Sequence, residues 1–383
     1  MIVQQFLRWV ASAPEARRAE ATSALARAYL YSDLDADDRE AAEAAMILLL
    51  DDPSAKVRKA LAEALARSAD APREVILALI NDLPQIAAPV LRYSPILLDA
   101  ELVEAATGFA DPLPEAIARR AHLAPSVAAA IAEAGGADAC FALLTNPTAV
   151  VPAASLARIA QRHGATAAIR EALMERGDTP IAVRQMLLQQ VGDLLRHHPL
   201  VRRGLREDRA QAVVADARER ATVSLADRAA PQDTQALVAH LVETGQLTTA
   251  LLLRALCTGN AALFEAALVH LSGLSGHRVR EVLAGGRMPA VRALLTRAEI
   301  PARTHPLFCA AVEVWREIAV ETAHLPETGR TVTLARRVIG SVLERYARMD
   351  GVEADDLVVM LRRFSAEIAR ESARTYVQRQ MAA

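Results

Sequence analysis

A short polar cap followed by proline returns along the first half of this chain at a nearly constant interval. Asp52-Pro53, Asp82-Leu83-Pro84, Asp111-Pro112, Asn146-Pro147 and Asp178-Thr179-Pro180 stand 30, 29, 35 and 32 residues apart. Asp and Asn side chains accept bonds from the free amides of a helix's first turn, and proline lacks the amide that this turn leaves unpaired. Five residues beyond each polar cap comes a small or apolar residue: Val57, Ala87, Ala116, Val151 and Val183. Between residues 54 and 68 the apolar set Val57, Ala60, Leu61, Ala64 and Leu65 follows the stripe of a one-sided helix. Another apolar helix precedes each cap, as at 42–50 and 74–79. Alternating β-branched runs bounded by turn signals are missing, so strands are not expected. A repeat of two helices cannot bury its apolar face alone and must stack on its neighbours.

The segment Asp51-Asp52-Pro53-Ser54-Ala55-Lys56-Val57-Arg58-Lys59-Ala60-Leu61 resembles the second half of a HEAT repeat, with its Asp-Pro cap, Val-Arg pair and Ala/Leu stripe. Val183-Arg184 keeps the same register after Asp178, whereas the repeats at Asp82, Asp111 and Asn146 lack the arginine. A second resemblance covers the whole chain. It rests on Leu253-Arg254-Ala255-Leu256-Cys257-Thr258-Gly259, Leu263-Phe264 and Val282-Leu283-Ala284-Gly285-Gly286, and points to a bacterial family of HEAT-like proteins known only as a domain of unknown function. That resemblance implies a degenerate repeat array followed by a helical C-terminal half, and it supplies no catalytic residues. The expected fold is all-α: a right-handed α-solenoid of HEAT-like hairpins, then a second helical array and a C-terminal hairpin.

Four segments are expected: HEAT-like repeats over 1–198, a charged helical linker over 199–235, divergent hairpins over 236–327 and a long hairpin over 328–383. The linker mixes Arg202, Arg203, Arg206, Arg209, Arg218 and Arg220 with Glu207, Asp208, Asp216 and Glu219, which fits an exposed helix ended by Pro231. The last hairpin pairs 331–349 with 354–381 across Asp350-Gly351. Its second helix repeats Leu357, Leu361, Phe364 and Ile368 in a short heptad-like seam, suited to capping the array or pairing two copies as a homodimer.

Composition narrows the function. Of 383 residues 52% are apolar but only 3% aromatic, and the net charge is −2. A surface matched throughout to phosphate backbone is therefore not expected, nor are stacking platforms for single strands. Only Lys56 and Lys59 among 44 basic residues are lysine, a bias that, with the abundant alanine, reads as genomic base composition. Cys140, Cys257 and Cys309 are odd in number and far apart, which excludes a disulfide framework and suits a reducing compartment. Arg8 interrupts the apolar start and no basic segment precedes it, so a signal peptide is not expected. The longest uncharged stretch, 139–157, contains Asn146, Pro147 and Pro152, which would break a spanning helix. The expectation is a cytoplasmic protein with no membrane contact.

Candidate chemistry is sparse. Glu321-Thr322-Ala323-His324 has the spacing of a helical metal-ligand pair, with Glu317 a turn earlier, but a second such motif is missing and Leu325-Pro326 suggests a helix end. His197-His198-Pro199 reads as a helix-terminating loop, since adjacent helical side chains point apart. Gly273-Leu274-Ser275-Gly276 matches a GxxG element without the strands that element requires; a turn with Ser275 as the following cap is expected. No Walker loop or GxSxG elbow occurs, and Cys140 and Cys309 beside phenylalanine read as buried thiols. DNA glycosylases built on HEAT-like repeats need a basic wall and aromatic contacts, and Trp9 and Trp315 stand far apart. No cofactor, no metal site and no catalysis are expected.

The remaining expectation is a protein-binding scaffold or regulatory adaptor that grasps a protein or helical peptide. Its contacts are expected at exposed polar residues on the second helix of each repeat: Lys56, Lys59, Glu63 and Arg67, then Arg92, Glu115, Arg119, Arg158 and Arg162. The alternative is a nucleic-acid-binding regulator using 276–297, with Arg278, Arg280 and Arg287, and the Arg-rich C-terminal helices. Nucleic acid is the less expected partner.

Overall fold

The computed structural model describes residue 9, residues 12–321 and, nearer the C-terminus, 338–344, 359, 361–366, 369–370, 373 and 377. The described residues are helical or in turns, with no strand among them. The chain is all-α. It divides into two compact units, Met1–Thr179 and Pro180–Ala383.

The first unit holds α1 (Glu15–Tyr31), α2 (Ala36–Leu49), α3 (Ala55–Leu65), α4 (Arg73–Leu79), α5 (Pro84–Tyr93) and α6 (Asp99–Gly108). It continues with α7 (Leu113–Ala118), α8 (Pro125–Ala134), α9 (Ala137–Thr145), α10 (Ala153–His163) and α11 (Ala167–Glu175). Odd-numbered helices pack each on the next, α1 on α3 and so on to α9 on α11, forming one row. A second row places α2 beside α4, α6 beside α8, and α8 beside α10. The apolar stripe explains why: Val57, Leu61 and Leu65 of α3 are fully buried, as are Val75, Ile76 and Leu79 of α4 and Ile86, Val90 and Leu91 of α5. Burying such a side chain contributes about 1.5–3 kcal/mol, so the rows are held chiefly by their shared apolar seam.

The polar residues do not cap as expected: Leu83, Pro112 and Pro180 hold the N-cap of the helices that open at 84, 113 and 181, with no side-chain cap bond, and the other two positions differ further. Ser54, not Asp52, caps α3, its hydroxyl accepting from the Lys56 amide at 3.2 Å. Asp52 stands one step outside, where it accepts the Ser54 amide at 2.8 Å and a two-pronged bond from Arg18 at 2.8 and 2.9 Å. Asn146-Pro147 does not start a helix. Asn146 closes α9, and its amide nitrogen donates to the carbonyls of Ala118 and Arg120, both at 2.8 Å, at the end of α7. The next helix opens at Ala153 behind Pro152.

The second unit holds α12 (Ile181–His197), α13 (Pro199–Gly204), α14 (Glu207–Asp227), α15 (Pro231–Glu243) and α16 (Thr249–Thr258). It continues with α17 (Ala261–Ser272), α18 (Gly276–Gly285), α19 (Met288–Arg297) and α20 (His305–Glu321). The unit begins ahead of α12, not after residue 198, because α12 packs on α14 and α15. The segment expected to be an exposed linker is likewise packed: Ala210, Val214, Val223 and Ala226 of α14 are buried, and Pro231 opens α15 instead of ending α14. Phe264 and Phe308 stack at 5.7 Å in the core. Val338, Ile339, Val342, Leu361 and Phe364 join that core, so two of the heptad-like seam residues are buried within their own unit. Most of the 328–383 hairpin, including Leu357 and Ile368, lies outside the described residues.

Candidate functional site

Each expected contact residue has a place in the first unit, and most are already engaged. Lys56 pairs with Glu15 at 3.4 Å and Lys59 with Glu63 at 3.6 Å. Arg119 pairs with Glu115 at 2.5 Å, and Arg158 grips Glu133 through two bonds at 2.7 and 2.8 Å. Arg162 donates to the carbonyls of Ala132 at 2.7 Å and Ala134 at 3.5 Å, closing the end of α8. Arg158 and Arg162 lie on α10, in the even row, whereas Lys56, Lys59, Glu63, Glu115 and Arg119 belong to the odd row. The expected contact strip is therefore split across both rows. The cause is the Asn146-Pro147 misassignment, which shifts the count of helices by one.

Arg67 and Arg92 differ from the rest. Both are exposed, and both guanidinium groups lie over the half-buried ring of Tyr93, at 3.6 and 4.9 Å from its centre. Neither has a carboxylate partner among the described residues. Arg67 follows the end of α3, and Arg92 and Tyr93 form the end of α5, so row packing of α3 on α5 brings them together. Nearby, Arg120 donates to the carbonyl of Leu91 and, at 2.7 Å, to that of Ser94, neutralising the electronegative end of α5. Burial pushes the Arg120 guanidinium down from its ordinary value, which fits a group spent on structure. The ring restrains Arg67 and Arg92 by cation–π contact while leaving their outward N–H edges open to water. Planar forks held this way suit a carboxylate or phosphate, which each fork can meet with two bonds. Sequence reasoning named both arginines but missed Tyr93, whose only signal was its place one repeat after Arg67.

Residues 86–350 match a family model described as an uncharacterised protein conserved in bacteria, DUF2336. The chain belongs to that family. Comparison with curated proteins and with solved structures returns no match. In this DUF2336 chain the matched segment starts within α5, so it takes in Arg92 and Tyr93 and leaves out Arg67.

The other sequence candidates gather no comparable geometry. His198 is the N-cap of α13, and a ring nitrogen of His197 lies 2.8 Å from the Asp193 carbonyl. Gly273 ends α17 with φ +66°, and Ser275 caps α18, so the GxxG element is a turn. Burial pushes the thiols of Cys140 to about 11 and of Cys257 to about 12, and Cys309 is raised for the same reason. Thiols so placed stay protonated at neutral pH. Among the described residues no group of three His, Cys, Asp or Glu is placed to hold a metal; His324 lies outside them. No helix among the described residues is long and apolar enough to cross a membrane.

Proposed function

We propose that this chain is a non-catalytic, cytoplasmic scaffold or adaptor of HEAT-like build, whose first unit binds an acidic segment of another protein at Arg67, Tyr93 and Arg92. One observation carries the proposal: these are the two expected basic contact residues that no acidic side chain or carbonyl among the described residues engages, and they converge on one ring. Lys56, Lys59 and Arg119 are each paired instead with a carboxylate of the chain itself. Burying an ion pair at a partner contact is favourable only where geometry is good, and ring-restrained forks supply that geometry.

The test is affinity capture from the native cell with the full chain and with Arg67→Glu/Arg92→Glu, after circular dichroism shows equal helix content. The proposal expects a defined set of proteins held by the wild type and reduced at least tenfold on the variant. Equal recovery on both would contradict it. A nucleic-acid regulator would instead shift labelled DNA or RNA with affinity falling steeply as salt rises.

A further inference from the structure

Two exposed surfaces, one in each unit, carry opposite charge together with apolar side chains that the described chain leaves uncovered. The first is the outer face of α2. Its inner face, Ala42, Ala45, Met46 and Leu49, is buried, whereas Asp37, Glu40, Ala44, Ile47 and Leu48, with Asp51 just past the helix end, are exposed. Asp37, Asp38, Glu40 and Asp51 form no ion pair among the described residues. The one base of the helix, Arg39, lies 4.3 Å over the Tyr29 ring, away from neutralising them. Leu48 keeps 56% of its surface exposed.

The second is the crown joining α12 to α14. These helices run antiparallel, their register set by Thr222 on Gln185 at 3.1 Å and by Arg218 on Asp193 at 2.6 Å. The short α13 closes the far end. From Leu194 to Arg206 the chain carries Arg196, Arg202, Arg203 and Arg206, two histidines and no acidic residue. Arg202 and Arg203 are exposed without a carboxylate partner among the described residues, and Arg206 meets only the exposed Asp208, at 3.7 Å. Leu194, Leu195 and Leu200 are exposed between them, Leu200 at 74%.

Each surface has what the other lacks: uncompensated acid with Ile47 and Leu48, uncompensated arginine with three leucines. A nucleic acid would match the arginines but leave the leucines wet. The net charge of −2 shows that these charges are segregated on a nearly neutral chain, not produced by a general excess of either sign. The occupant the chain itself supplies is a second copy. We propose that copies associate head to tail, the acidic face of α2 in one copy seated on the Leu–Arg crown of the next. Such a contact is heterologous: every copy donates one face and receives one, so growth ends in a closed ring or runs on as a filament. This inference is independent of the Arg67–Tyr93–Arg92 site.

Sedimentation velocity on the full chain tests it, over a wide concentration range and at about 0.05 and 0.5 M salt, where screening differs several-fold. The expected result is species larger than the monomer that grow with concentration and dissolve in high salt. Asp37→Arg/Glu40→Arg and Arg202→Glu/Arg203→Glu alter exposed side chains only, and each variant alone is expected to be monomeric. Mixed in equal amounts, they restore two complementary contacts, one with the native charges and one with the charges exchanged, and are expected to grow into alternating species larger than a dimer. A chain carrying all four changes is expected to associate again. A wild type that is monomeric at every concentration overturns the proposal, as does a symmetric dimer that survives in both variants. Flotation of a monomeric wild type with vesicles of phosphatidylcholine and phosphatidylglycerol would reassign the crown to lipid and overturn it too.

Discussion

Asp82 accepts two bonds from Arg58, at 2.6 and 2.9 Å, and also accepts the Leu83 amide at the start of α5. The Arg58 bonds hold the Asp82 carboxyl below its ordinary value despite the opposing effect of burial. A carboxyl lowered by folding contributes stability above its unfolded value, near 4, and loses that contribution as pH falls through the folded value. Arg58→Met is therefore expected to cost about 1.5–3 kcal/mol at neutral pH, the range for hydrogen bonds to charged groups. Urea unfolding of wild type and variant should show the gap narrowing as pH is lowered toward about 3; a gap independent of pH would contradict the assignment. Arg254 is a stronger case. Its side chain is 3% exposed, bonds Asp216, lies 3.5 Å from Glu219 and sits 3.6 Å over the Phe364 ring. Burial pushes the Glu219 carboxyl up while the Arg254 charge opposes that rise. Arg254→Met leaves Asp216 with Arg220 but removes the charged partner of the buried Glu219, and is expected to cost about 3–5 kcal/mol in thermal or urea unfolding. Arg254→Lys should recover only part, since an ammonium cannot lie flat on the ring and fork to carboxylate together.

At the scale of elements, helix ends are tied by side chains from a neighbouring helix. Arg176 donates to the carbonyls of Leu144 at 3.0 Å and Ala149 at 3.3 Å, and Arg297 to that of Ser272 at 2.8 Å. Arg316 reaches Val282, Leu283 and Gly286 at 2.6 to 2.9 Å. The last carbonyls of a helix lack partners within it, and one planar guanidinium can serve two or three. Lysine could not serve as many from one plane, so the arginine bias has structural work beyond base composition. Gly192 in α12 gives a test of sign. Alanine normally stabilises a helix interior by about 1 kcal/mol over glycine. Here a Cβ would stand 2.1 Å from Nε of Arg218, whose guanidinium bonds the Gln189 carbonyl and Asp193. Gly192→Ala is expected to lower the melting temperature; a rise would contradict the close approach. The same scale shows what the sequence could convey. The stripe of α3 and the Asp82-Pro84 start of α5 were legible because capping and burial act within a few residues. Asn146 was not, because an Asn-Pro pair can close one helix as well as open another, and the carbonyls it ties belong to a helix almost thirty residues earlier. Ring contact between Arg67 and Tyr93 is equally a property of packing, invisible to periodicity.

At the scale of the whole molecule, the all-α class and the two compact units stand together with membership of the DUF2336 family. The Arg67–Tyr93–Arg92 cluster carries the proposed recognition of another protein, and the α2 and crown surfaces the proposed association of copies. The central claim is that recognition occurs at the ends of α3 and α5. Hydrogen–deuterium exchange of the full chain, alone and with its captured partner, tests this most directly. The account predicts slowed exchange over residues 63–68 and 90–95, abolished in Arg67→Glu/Arg92→Glu. Slowing confined to 276–297, with 63–68 and 90–95 unchanged, would contradict it.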